Sequence, residues 1–173
     1  MIDLPHYSQY DDIKDSFWQN KSCGVVCVKM ILDFLNKDNL TTIASLIKEG
    51  IEIDGYSKEG WLHGSLVILL RNHGVPAYRQ EFRSKDEKFQ KELEAKGIEK
   101  IKKSLEGNNP VIVSVKSDFD DNKDSHLIVL TGYDDESVYY NDPNTKDGNT
   151  KKDVKVDFDK FVEYWRPYVI FTA

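Results

Sequence analysis

Cysteine is scarce in this chain, which has 2 such residues among 173. Cys23 and Cys27 are too few for a disulfide framework, and their spacing of four does not match the paired Cys-x-x-Cys pattern of structural zinc sites. On a helix the two side chains would share a face, but a bond between them would strain disulfide geometry. We therefore expect neither a disulfide nor a metal site.

A net positive charge is also lacking: 30 acidic residues outnumber 24 basic ones, so the formal net charge is −6 at pH 7. An acidic chain lacks the electrostatic footprint that a nucleic acid or an anionic lipid surface would need. The lysines between residues 85 and 103 alternate with glutamates, which is typical of a solvated helix face. Nucleic acid is therefore not an expected partner.

Long apolar runs are missing. The longest, Leu66–Leu70 and Leu127–Leu130, fall far short of the ~20 residues that span a bilayer, and no signal-peptide pattern opens the chain. We therefore expect a soluble protein with no membrane insertion. Because a removed signal peptide or excision from a longer protein would leave the same sequence, the compartment stays open, with the cytoplasm favoured.

Glycine-rich phosphate loops, internal repeats, low-complexity segments and Pro/Gly/Ser-rich linkers are absent as well. No cofactor is implied. With 39% hydrophobic and 12% aromatic residues among 173, the chain has the size and composition of a single packed domain, which we take to span residues 1–173.

The apolar spacing in the first part of the chain is helical, although residues 1–21 show no sustained period. Four helices are predicted, over residues 23–36, from Thr41 or Thr42 to 49, from Ser57 to His73, and over 86–106. Gly74 would cap the third of these helices, and the fourth could break near Gly97.

β-Branched and aromatic residues take over after Pro110, which indicates strands. The polar turn at 134–136 predicts that the strands on either side of it pair as a hairpin, and Pro76 suggests an edge strand. Helices followed by antiparallel strands are the α+β pattern, with the helical half packed on a sheet formed mainly by the second half. The predicted strands cover residues 75–82, 111–115, 126–133, 138–141, 154–156 and 168–172, with a late helix over 158–165.

Cys23 stands where the first long helix is predicted to begin, with Ser22 as its cap. A helix N-terminus favours negative charge and therefore the thiolate, and Gly24 would leave room for a substrate backbone to approach. Cys27 lies within the apolar stretch and is interpreted as a small core residue. Cys23 is therefore the candidate nucleophile.

A thiol nucleophile needs a histidine to hold its proton and a third group to orient that histidine. His126 begins one predicted strand and Asp142 follows the next, and antiparallel pairing would bring these two ends together. Asp142 could instead serve turn chemistry within Asn141-Asp142-Pro143, which is the less favoured interpretation. The remaining histidines are interpreted as structural or surface residues; they are His6, His63 and His73.

Three segments carry a family resemblance. They are Leu4-Pro5-His6-Tyr7-Ser8-Gln9, Cys23-Gly24 at the start of an apolar helix, and His126-Leu-Ile-Val-Leu-Thr-Gly-Tyr-Asp followed by Val138-Tyr-Tyr-Asn-Asp-Pro143. Together they resemble cysteine peptidase family thirty-nine, whose members are papain-like in fold and include the double-glycine leader peptidases. Residues 45–105 match no motif of that family, and Val25-Val26 departs from the proline or small residues of many relatives.

The resemblance implies a cysteine peptidase in which Cys23 is the nucleophile, His126 its base and Asp142 the group that orients the histidine. In that family an upstream glutamine helps to bind the oxyanion. Gln9 matches the opening segment and is favoured over Gln19, which lies nearer to Cys23. A peptide or protein would be the substrate, without a cofactor.

Two other hypotheses stay open. A thiol acyltransferase would pass the acyl group to an amine or a thiol instead of water. A binding module would keep the fold and recognise a peptide or protein without turnover. The acidic segment Asp118–Asp124 is interpreted as a solvated loop near the mouth of the cleft, and the sequence reveals neither the substrate's sequence nor the oligomeric state.

Overall fold

The computed structural model describes residues 1–36 and 40–173. The first part of the chain is helical, except for a short hairpin between the third and fourth helices. The helices are α1 (Ser16–Gln19), α2 (Cys23–Leu35), α3 (Ile43–Glu52) and α4 (His63–Asn72), and the hairpin joins β1 (Tyr56–Ser57) to β2 (Gly60–Trp61).

The rest of the chain builds a sheet and two further helices. These elements are β3 (Ala77–Glu81), α5 (Glu87–Glu106), β4 (Val111–Lys116), β5 (Ser125–Tyr133), β6 (Ser137–Asn141), β7 (Val154–Asp157), α6 (Phe158–Tyr164) and β8 (Trp165–Thr172). The six strands lie in the order β3-β8-β4-β5-β6-β7, and every neighbouring pair is antiparallel. This architecture confirms the predicted α+β class.

The core that positions the site lies between α2 and the sheet. α2 packs against β5, and α5 packs against β5 and β8. Burial of each Leu, Ile or Val side chain contributes about 1.5–3 kcal/mol relative to exposure, so this contact fixes the start of α2 beside the start of β5. The apolar residues that α2 buries are Val25, Val26, Cys27, Val28, Met30, Ile31 and Leu32.

The predicted pairing of the late strands is confirmed. β5 and β6 form an antiparallel hairpin in which Val129 is paired with Asn141 and Tyr133 with Val138. β3 is an edge strand, as Pro76 suggested. Gly74 follows α4 at φ +81°, a left-handed conformation that glycine adopts without cost, so it ends that helix as predicted.

The prediction of a helix beginning at Ser57 was wrong. Residues 56–61 form the β1–β2 hairpin instead, and α4 begins only at His63. Gly60 adopts φ +107°, which a helix does not allow. The hairpin is held by Trp61, whose ring occupies the space that a side chain at Gly50 would need: a Cβ there would lie 2.4 Å from the indole.

Two further local predictions were wrong. α5 runs through Gly97 without a break, because the missing side chain makes room for the rings of Trp165 and Phe82. Ser22 occupies the cap position of α2, but its hydroxyl donates to the carbonyl of Trp18 and does not cap the helix. That bond joins α2 to α1, a helix that the sequence pattern did not predict.

Candidate active site

Cys23 is the first residue of α2, and the residue is partly exposed. Burial in its surroundings alone would raise the pKa of the thiol. A hydrogen bond with His126, attraction to the imidazolium and bonds from the backbone N–H groups of Leu127 and Gly24 outweigh burial, so the pKa lies below its ordinary value. The site therefore favours a thiolate at Cys23.

His126 is the second residue of β5, with 7% of its surface exposed. Its Nε2 lies 2.6 Å from Oδ1 of Asp142, so Nδ1 is the ring nitrogen left for the Cys23 sulfur. Burial opposes protonation of the ring, but the bonds to Asp142 and Cys23 and the charges on both partners raise the pKa of His126 above its ordinary value. The imidazole is therefore held in its charged form.

Asp142 directly follows β6 and is 3% exposed. Burial opposes its charge, but the bond and charge of His126, the charge of Lys151 and the backbone N–H of Asn144 together lower the pKa of the carboxyl group. Oδ1 accepts both from His126 and, at 2.8 Å, from the Asn144 N–H. The turn chemistry and the contact with histidine therefore coexist at this carboxylate.

Lys151 contacts the other carboxylate oxygen, and the sequence analysis did not identify it. Its Nζ lies 3.2 Å from Oδ2 of Asp142 and 2.9 Å from Oδ1 of Asp118. The carbonyl of Lys151 also accepts a hydrogen bond from the Asp142 N–H at 3.0 Å. No sequence signal marks this lysine, because the loop between β6 and β7 has no period from which a contact could be inferred.

Residues 6–9, in the opening segment of the chain, form hydrogen bonds with the loop that carries Asp142. His6 Nε2 donates to the carbonyl of Asp142 at 2.9 Å, and Ser8 Oγ donates to the carbonyl of Thr145 at 2.6 Å. The Gln9 N–H donates to the carbonyl of Pro143 at 2.8 Å. His6 is thus structural, as interpreted from the sequence, but it supports the candidate site directly.

The two candidate glutamines differ in their side-chain hydrogen bonds. Gln19 Nε2 donates to the carbonyls of Tyr10 at 3.0 Å and Ile13 at 2.9 Å, which uses both of its N–H groups. Gln9 is 4% exposed, and its Oε1 has no hydrogen-bond partner among the described residues. Gln9 is not among the residues that line the cleft beside Cys23, and its backbone N–H contacts the Asp142 loop.

Cys27 is a core residue, as predicted. It is fully buried one turn beyond Cys23, and its thiol lies 3.4 Å from the carbonyl of Leu127. Burial, and the charges of Cys23 and Asp142, raise the pKa of Cys27 well above its ordinary value, so it stays neutral. Gly24 is also buried: a side chain there would contact Leu66 and Leu127, so its role is close packing and not the predicted access for substrate.

The two remaining histidines differ in position. His73 bonds to the carboxylate of Glu49 at 2.8 Å, which is the structural role expected of it. His63, by contrast, lines the cleft beside Cys23, so its interpretation as only a structural or surface residue was incomplete. Burial and the positive charge of Arg79 lower the pKa of His63.

A cleft of about 550 Å³ opens beside the candidate site. The start of α2, the β1–β2 hairpin and the start of β5 form its walls, and charges of both signs line it. Its lining residues include Cys23, Lys21, Lys58, Glu59, Asp124 and His126. A larger cavity of about 790 Å³, between α3 and the opening segment, contains neither Cys23 nor His126.

Among residues 1–36 and 40–173, no group of three His, Cys, Asp or Glu side chains is arranged to hold a metal ion. None of the helices within those ranges has both the length and the apolar character needed to cross a bilayer.

Solved structures share this fold over nearly the whole chain. A protein described as a C39-like peptidase from Bacillus anthracis superposes with a TM-score of 0.70 at 21% identity, covering 100% of this chain and 96% of that one. The peptidase domain of Streptococcus ComA, a bifunctional ABC transporter of a quorum-sensing pathway, gives 0.66 at 16% identity, covering 100% and 98%. A double glycine motif protease from an AMS/PCAT transporter, solved with its leader peptide, gives 0.62 at 19%, covering 99% and 92%.

These likenesses confirm the papain-like cysteine-peptidase fold that the resemblance implied. No curated protein matches the chain in sequence. A model of the Peptidase_C39 like family matches residues 1–169, which is almost the entire chain. The chain therefore belongs to the Peptidase_C39 like family.

Proposed function

We propose that this protein is a cysteine peptidase or amidase in which Cys23, His126 and Asp142 act as a catalytic triad. The observation that carries the proposal is the continuous contact from the Cys23 thiol through the His126 ring to the Asp142 carboxylate. The pKa of the thiol is lowered and that of the imidazole is raised, which is the pairing that a thiolate nucleophile requires.

Acyl transfer follows from this pairing. The Cys23 thiolate attacks the carbonyl carbon and forms a C–S bond, while the carbonyl oxygen becomes an oxyanion. As the C–N bond breaks, the His126 imidazolium gives its proton to the leaving amine. Neutral His126 then takes a proton from water, which attacks the thioester and releases the acid, and Cys23 leaves as the thiolate. Asp142 keeps the ring oriented throughout and stabilises its charged form.

The oxyanion needs hydrogen-bond donors near Cys23. As the first residue of α2, Cys23 has a backbone N–H that the helix does not use, and it is the first proposed donor. Gln9 is the proposed second donor. This assignment is supported by the amide of Gln19, whose two N–H groups are bound to backbone carbonyls and so are not free to donate to an oxyanion.

Gln9→Ala is expected to lower kcat by roughly 10²–10³-fold, since this is the usual effect of losing one oxyanion donor. Gln19→Ala is the matched control: it leaves two carbonyls without their donor, so it should lower the free energy of unfolding by about 1–3 kcal/mol without a comparable loss of kcat. Steady-state kinetics and denaturant unfolding of both variants give the comparison. A larger loss of kcat in Gln19→Ala would reverse the assignment.

A peptide is the proposed substrate. The cleft is open and about 550 Å³ in volume, which is large enough for several residues of an extended chain. The related double glycine motif protease was solved with a leader peptide, which supports peptide recognition by this fold. Lysines and carboxylates both line the cleft, so charge alone does not select one kind of peptide.

Cleavage of a peptide library tests the function. The wild-type protein should generate products with new carboxyl and amino termini, identified by mass spectrometry, and protein first alkylated at Cys23 with iodoacetamide should generate none. Products joined to an added amine in preference to water would indicate an acyltransferase. The absence of any product, together with alkylation of Cys23 no faster than that of an ordinary exposed thiol, would favour the binding module and contradict the proposal.

A further inference from the structure

We propose that Lys151 is a positioning residue that acts through the Asp142 carboxylate, where its positive charge competes with the His126 proton, and that Asp118 moderates this competition. The role rests on the proposed hydrolase function, because it concerns the same triad. Neither residue touches Cys23 or lines the cleft. Their influence would therefore pass through the Asp142 carboxylate.

The contacts of Asp142 define the geometry. Oδ1 accepts from His126 and from the Asn144 N–H, and Oδ2 accepts from Lys151. With 3% of the residue exposed, water cannot replace these donors freely. Lys151 also accepts from the Asp142 N–H through its own carbonyl, so the two residues are joined at both backbone and side chain. Rotation of the carboxylate away from His126 would break the bond to Lys151.

The position of Asp118 is itself constrained. Asp118 and Phe119 both adopt left-handed backbone conformations, at φ 52° and φ 53°, which is rare for a bulky residue such as phenylalanine. Phe119 is buried and contacts the rings of Tyr140 and Tyr164, so its burial offsets the strain. This anchoring aims the Asp118 carboxylate at Lys151.

The charges around Asp142 determine whether a substitution strengthens or weakens the binding of a proton by His126. A cation at Lys151 competes with the proton of His126 for the negative charge of Asp142, whereas Asp118 reduces that competition by binding the same cation. Lys123 in turn binds the second oxygen of Asp118 at 2.6 Å. The titratable and charged groups that surround His126 and Asp142 from the packed elements, including those that share the cleft with His126, are His6, Lys21, Cys23, Cys27, Lys58, Glu59, His63, Asp118, Lys123, Asp124, Tyr140 and Lys151.

Opposite shifts in the His126 titration provide the test. NMR of isotope-labelled histidine follows the ring directly, and with 4 histidines in the chain the spectrum of His126→Gln assigns its signal. Lys151→Met should move the midpoint of the His126 titration upward by about half a pH unit, and Asp118→Asn should move it downward by a similar amount. The shifts are small because Lys151 is partly exposed, so solvent screens its charge.

Two further variants separate electrostatics from loss of structure. Lys151→Arg keeps the charge and should leave the midpoint near the wild-type value. Lys152→Met removes the neighbouring lysine, which pairs with Asp3 at the surface, and should also have no effect. A purely structural role would loosen the contact between His126 and Asp142 in both Lys151→Met and Asp118→Asn, so both midpoints would fall.

Midpoints that fall together, or that do not differ from the Lys152→Met control, would overturn the role of Lys151. Asp118→Asn remains informative if Lys151→Met does not fold, because asparagine tolerates the left-handed conformation at position 118. The NMR measurement does not depend on turnover. Failure of the hydrolase proposal would appear as an absence of peptide cleavage by the wild-type protein, which is a separate observation.

Discussion

Cys23→Ala is expected to lower kcat/KM for peptide hydrolysis by roughly 10⁴–10⁶-fold, because no other group of the site can form the thioester. The proposed oxyanion donors and the proposed peptide cleft would remain, so the KM should change little. Steady-state kinetics on a peptide identified from the library give the comparison. Cys23 is partly exposed at the start of α2, and alanine keeps its Cβ, so the fold should be retained.

Cys27→Ala is the matched control, because Cys27 lies one turn further along the same helix and is fully buried. Removal of its sulfur leaves a small cavity and should lower the free energy of unfolding by about 1–2 kcal/mol. Turnover should stay near that of the wild type. An equal loss of kcat/KM in both variants would show that the helix, and not the Cys23 thiol, is what activity requires.

Asp142→Asn is expected to lower kcat by roughly 10²–10⁴-fold. Three donors converge on the carboxylate, from His126, Asn144 and Lys151, and an amide offers only one acceptor oxygen to them. A neutral side chain also no longer stabilises the imidazolium. Because the charge of Asp142 raises the pKa of His126, its removal should shift the alkaline limb of the activity profile to lower pH.

The pH dependence of kcat/KM measures both effects of Asp142→Asn. Asp134→Asn is a suitable control, since Asp134 lies in the exposed turn between β5 and β6 and bonds to Tyr139. It should retain the wild-type rate and profile. A kcat near the wild-type value in Asp142→Asn would contradict the role assigned to this carboxylate.

The contact between His126 and Asp142 was predictable from the sequence because each step of that inference was local. The apolar spacing after Cys23 located the start of α2, and alternating strands separated by a polar turn located the β5–β6 hairpin. Antiparallel pairing then required His126 and Asp142 to lie close together, which the distance of 2.6 Å confirms. Only the approach of α2 to the sheet depended on tertiary packing.

The parts that could not be predicted depend on contacts between distant or irregular segments. Lys151 contacts Asp142 from a loop between two strands. The β1–β2 hairpin depends on the packing of the Trp61 ring against Gly50. Neither contact follows from a local sequence period. Gly97 was predicted to break a helix, but in the structure the Trp165 ring packs against this glycine and α5 is continuous. The support of the Asp142 loop by His6 likewise spans most of the chain.

The ionisation of Cys23 at neutral pH is the most direct measure of the central claim. The thiolate absorbs in the ultraviolet, so the difference between wild-type and Cys23→Ala absorbance, followed across pH, titrates this sulfur alone. The thiolate signal should persist at neutral pH and disappear only on acidification well below pH ~8.5, the usual cysteine value. A signal that appears only near or above that value would contradict a thiolate held by His126.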